Sequence, residues 1–114
     1  MKKTNVILEK SVAFALLIIE YCEILEMNRK YVIANQLLKS GTSIGAQIHE
    51  AQNAESRADF IHKLKIAAKE LEETKYWITL CDRSNQYENP EKLKAPLNEL
   101  GLILYKILST SYKS

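Results

Sequence analysis

The sequence predicts an all-α protein, an antiparallel up-down-up-down four-helix bundle. Three observations carry that expectation. Apolar residues recur at steps of three and four through four separate segments. No stretch alternates apolar and polar residues with a period of two, the mark of a half-buried strand. The segments are joined by short polar connections, so successive helices must double back on one another. There is no internal repeat or low-complexity tract, and the 114 residues read as one domain, 1–114, with a single modest core.

The first helix is expected over residues 5–27. Ile7, Phe14, Ile18, Cys22 and Leu25 make one apolar stripe, and Leu8, Val12, Leu16 and Ile19 make a second beside it. An apolar arc this wide needs more than one partner. Either the helix is deeply buried within its own bundle, or Leu8, Val12, Leu16 and Ile19 form an interface with another subunit. The same segment does not suit a signal peptide or a membrane span. Its unbroken apolar run is Val12–Ile19, too short to cross a bilayer, and charged residues flank it with no small-x-small cleavage site. A cytoplasmic location is expected.

A polar break at residues 28–30 leads to a second helix over 31–53. Gly41 and Gly45 lie inside it, although each interior glycine costs a helix about 1 kcal/mol relative to alanine. At about 100° per residue both fall on the face of Leu37, Ile44 and Ile48. The simplest reason for glycine there is close helix packing, with a neighbouring helix where no Cβ intervenes. Beside this stripe runs a polar strip, Gln36, Ser40, Ser43, Gln47 and Glu50. It fits a solvated face and a polar contact line equally well.

Ser56 and Asp59 make an S-x-x-D start for a third helix, 57–82, with Ser56 as N-cap. Phe60, Leu64, Ala67, Leu71 and Ile78 form its core stripe, with Trp77 at the margin. His62, Lys65, Lys69 and Tyr76 lie on the outer face. Its charges are ordered against the helix dipole. Residues 57–69 carry four bases and one acid, and residues 70–82 four acids and one base. Asn89-Pro90 then reads as the start of the last helix, which runs to about residue 112 through Leu93, Leu97, Leu100, Leu104, Ile107 and Leu108. Pro96 inside it should kink or restart it.

Composition narrows the function. A net charge of +2 argues against a protein that coats nucleic acid wholesale. Cys22 and Cys81 sit on apolar faces and read as reduced, buried thiols. Glu50, Glu70 and Glu73 lack the Glu-x-x-His pairs of a di-iron bundle, so no metal is expected. No nucleophile–base pair and no glycine-rich phosphate loop is evident. The chain is expected not to be an enzyme and to need no cofactor. A nucleic-acid contact could use His62, Lys65, Lys69 and Tyr76, with Arg29, Lys30 and Lys39 adding charge near the second helix. The competing reading of these cations is an ordinary solvated surface.

One stretch resembles a known family. Gln36–Ala51, QLLKSGTSIGAQIHEA, is followed by Ser56, by Asp59-Phe60 and by KLKIAAKELEETKYWITL over Lys63–Leu80. These runs, in this order and spacing, resemble the four-helix-bundle proteins called 23S rRNA intervening-sequence proteins. Gln47 stands where that family usually has Asn. The resemblance implies a bacterial cytoplasmic protein that assembles as a ring-like homopentamer. It also implies kinship with accessory proteins that act with a reverse transcriptase and RNA. It carries over no catalytic residue. The expected function is a non-enzymatic oligomeric adaptor that binds RNA or an RNA–protein partner. The alternative is a purely protein-binding assembly module.

Overall fold

A computed structural model of the chain describes the backbone of residues 2–113 and the side chains of residues 6–111. Four helices follow one another: α1 (Lys2–Met27), α2 (Tyr31–Ala51), α3 (Arg57–Arg83) and α4 (Glu91–Lys113). They form an all-α four-helix bundle about 47 Å long and 20 Å across.

Local chemistry sets the ends of the helices. The α1–α2 turn is a Schellman motif: the Lys30 N–H donates to Leu25 O at 2.8 Å and the Arg29 N–H to Glu26 O at 2.9 Å. The motif requires a left-handed residue, and Arg29 takes that place at φ 63° without being glycine. At the start of α3 the Ser56 hydroxyl accepts from the Asp59 N–H at 3.0 Å. The Asp59 carboxylate reaches back to the Glu55 N–H at 3.1 Å, one residue before the cap. Asn89 accepts from the Glu91 N–H at 3.1 Å and opens α4. Pro96 lies within α4, which continues through it as one helix. The expected restart does not occur. The missing N–H falls near the N-terminal end, where only the Lys92 carbonyl loses its usual donor.

Contacts fix the direction of packing. Gly41 faces Ile18 and Gly45 faces Ser11. Ser40 meets Thr74 and Glu50 meets Lys63. Glu72 meets Tyr105 and Asp82 meets Lys94. Lys10 meets Glu99 and Tyr21 meets the backbone of Glu88. In each pair of helices one contact number rises as the other falls, so neighbours run antiparallel and α4 closes on α1. Among the described residues the diagonal pairs, α1 with α3 and α2 with α4, bring no Cα atoms within 8 Å.

Phe14, Ile18, Leu25, Leu37, Ile44, Ile48, Leu64, Leu71, Leu93, Leu100 and Leu104 fill the centre and are fully buried. Ile107 and Phe60, expected with them, are only partly buried. Cys22 and Cys81 are buried and unpaired. They sit on the diagonal helices α1 and α3, whose Cα atoms stay more than 8 Å apart, so the bundle cannot close a disulfide between them. Burial pushes the Cys22 thiol up to about 12, with the nearby Cys81 adding to the effect. Burial raises Cys81 as well.

Candidate functional site

Two surfaces of the bundle can be built from the residues upward. The first lies on α1 and α2. Gly41 and Gly45 lie against α1 so closely that a Cβ at Gly41 would come within 2.8 Å of Ile18 Cγ1. A Cβ at Gly45 would come within 3.1 Å of Ser11 Oγ. Ser11 is itself buried and turns its hydroxyl onto Leu8 O at 2.7 Å. This close approach leaves a shallow groove on the outside of the pair, lined by Val12, Leu16, Thr42, Ala46 and His49 among others. The second stripe of α1 divides along it. Leu8 is half-buried against the core, whereas Val12, Leu16 and Ile19 are 48%, 55% and 37% exposed. The bundle core therefore does not use them.

The polar strip of α2 is split between core and rim. Ser40 is buried and accepts from the Thr74 hydroxyl at 2.9 Å, which links α2 to α3. Ser43 and Gln47 are half-buried, and Gln36 and Glu50 are exposed, Glu50 lying 3.6 Å from Lys63. The strip thus follows the α2–α3 seam.

The second surface is the outer face of α3. His62, Lys65, Lys69 and Tyr76 are all exposed on it. The basic face expected there is not continuous. Glu72 and Glu73 fall on the same arc between Lys69 and Tyr76. Glu72 accepts from the Tyr105 hydroxyl, and Glu73 accepts from the Trp77 indole N–H at 3.1 Å. Tyr76 stands edge-on to Trp77 with ring centroids 5.2 Å apart.

The other candidate cations lie elsewhere. Arg29 and Lys30 occupy the α1–α2 turn, at the end of the bundle away from His62. The Lys30 ammonium lies 5.1 Å from the centroid of the Tyr87 ring on the α3–α4 link. Lys39 projects from α2 toward Glu70, whose carboxyl is raised by burial and by Glu73 and lowered by Lys39. The seven residues therefore form three separate groups. Glu72 and Glu73 are legible on a helical wheel of the sequence. The Lys30–Tyr87 contact is not, because it depends on which connections meet at the bundle end.

Among the described residues no group of three or more His, Cys, Asp and Glu side chains is placed to hold a metal ion. No helix among them is long and apolar enough to cross a membrane.

The profile of the 23S rRNA-intervening sequence protein family matches residues 3–106. The chain belongs to that family. A crystal structure described as a protein with unknown function from the S23 ribosomal protein family of Bacteroides thetaiotaomicron VPI-5482 is 42% identical in sequence. It superposes with a TM-score of 0.88, covering 94% of this chain and 98% of that one. No curated protein matches. The 23S rRNA-intervening sequence family therefore fixes the fold and the kinship of the chain, and its described neighbour adds no activity.

Proposed function

We propose that this protein is a non-enzymatic assembly module whose primary partner is a second copy of itself through the α1–α2 face. The observation that carries this reading is the exposed strip Val12, Leu16 and Ile19 beside a groove walled by Thr42, Ala46 and His49. Contiguous apolar surface of this kind marks a contact site, and it lies where the bundle itself has no use for it. Leu8, half-buried at the edge of the strip, would support it from below. A ring of five is the assembly that the family resemblance implies. Two buried thiols on helices too far apart to be bridged suit a reducing compartment, in keeping with a bacterial cytoplasmic protein.

An RNA or RNA–protein partner, such as a reverse-transcriptase-like protein, is the second reading. It rests on the exposed cations His62, Lys65 and Lys69, which assembly would multiply. The carboxylates of Glu72 and Glu73 among them weaken it against the first.

Leu16→Glu tests the leading reading, since a carboxylate in an apolar contact costs far more than on a solvated surface. Light scattering at micromolar concentration should show an assembled wild type and a monomer of about 13 kDa for the variant, with an unchanged helical circular dichroism spectrum. A wild type that is monomeric throughout that range would refute it.

A further inference from the structure

We propose that the cleft between α1 and the start of α4 is a docking site for a basic amphipathic helix of another protein. Its volume is about 310 Å³, room for a few side chains rather than for an enclosed small ligand. Leu17, Tyr21, Ile24 and Leu93 supply its apolar lining, and the exposed Glu20 and Glu88 stand beside them. The Tyr21 hydroxyl donates to Glu88 O at 2.6 Å, which ties the α3–α4 link to α1 and holds the cleft in shape. Leu17, Ile24 and Met27 recur along α1 at steps of seven and three, within an arc of about 80°. One helix receives another at this spacing. Ile24 is 37% exposed and Met27 83%, so the bundle core leaves the line open. Leu17 and Ile24 lie about 80–100° around α1 from Leu16, on a different face from the strip of Val12, Leu16 and Ile19.

The charges select the partner. Glu20, Glu23 and Glu26 ride the last two turns of α1, whose final turn carries no base. Carboxylates there oppose the negative end of the helix dipole. Among the described residues, these three and Glu88 form no ion pair. Glu91 is held by Lys94 at 3.2 Å, and Lys92 is the one cation lining the cleft. RNA would set its phosphates against these carboxylates, so the face repels nucleic acid. A helix with leucines along one side and lysines flanking them meets both demands. Its leucines enter the cleft, and its lysines reach Glu20 on one side and Glu88 on the other. Met27 adds an unbranched, adaptable side chain to the same line.

The test is fluorescence anisotropy of a labelled synthetic helix, LKKLLKLLKKLLKL, titrated with the full-length protein. Binding should saturate at one peptide per chain and weaken as salt rises. Ile24→Lys sets a cation in the apolar lining and should weaken binding about tenfold or more. Glu20→Gln with Glu88→Gln should weaken it by a similar factor and flatten its salt dependence. Both replaced carboxylates are exposed, so this variant carries the test should Ile24→Lys fail to fold. Leu16→Glu should bind the peptide as wild type does, so failure of self-assembly and failure of this contact are told apart. The same peptide with glutamate in place of lysine should not bind. A wild type that does not bind the lysine peptide overturns the proposal. So does equal affinity in wild type and the glutamine variant, since the peptide would then sit elsewhere. Spermine that displaces the peptide at equal concentration also overturns it, because the face would then read charge alone.

Discussion

The two sides of α2 and the two sides of α4 solve the same packing problem differently. α2 meets α1 and α3 through Gly41, Gly45, Ser40, Ala34 and Ala51, and its backbone approaches both neighbours closely. α4 meets α3 and α1 through Leu93, Leu97, Leu100, Leu104 and Leu108, and stands further off. Side-chain size sets the spacing between helix axes. The closely packed half of the bundle has no room for added atoms, and the leucine half has none to lose.

The difference can be broken from the leucine side first. Leu104 is fully buried, and Leu104→Ala should cost about 3 kcal/mol in chemical denaturation, through lost transfer energy and the cavity left behind. A cost below about 1 kcal/mol would mean that α4 collapses inward and that its spacing is soft. From the glycine side, Gly41→Leu drives a side chain into Ile18, where even a Cβ would sit at 2.8 Å. Overpacking of about 3 kcal/mol, offset by about 1 kcal/mol of regained helix propensity, leaves a net loss of about 2 kcal/mol. An unchanged melting curve would show that α1 and α2 can part without cost. The smallest effect sharpens the contrast. Gly101 lies on α4, and a Cβ there would meet Leu71 at an ordinary 3.5 Å. Gly101→Ala should therefore stabilise the protein by about 0.5–1 kcal/mol, through helix propensity alone.

Much of this fold is legible in the sequence because its signals are local. Ser56 with Asp59 marks the start of α3, and Asn89 the start of α4. The stripe Ile7, Phe14, Ile18, Cys22 and Leu25 is periodic and is buried as a unit. Pro96 shows where a local rule meets its limit. The residue that breaks many helices is accommodated here at the sixth position of α4, where the helix continues with one lost hydrogen bond, at the Lys92 carbonyl. The candidate surfaces are less legible. Val12 and Leu16 resemble Ile18 in chemistry, and only the placement of α2 and α4 separates the stripe that faces the core from the one that faces outward. Ser40 reads as solvated or packed with equal ease until Thr74 is found 2.9 Å from it. Charges behave likewise: Lys39 and Lys69 look alike along the chain, yet one is set toward Glu70 and the other outward.

The two buried cysteines give the molecule a clock. Thiol reagents are attacked by the thiolate, and burial raises both thiols above their ordinary range and keeps them out of reach of solvent. Modification of Cys22 or Cys81 in the native protein therefore waits for the helices around it to separate. Because the sulfurs cannot join each other in the closed bundle, no internal disulfide protects them there. At reagent concentrations where labelling outpaces reclosing, each labelling event counts one opening of the bundle, Cys22 reporting from α1 and Cys81 from α3. A single rate for both would describe a structure that opens all at once, and two rates a structure whose helices leave one at a time.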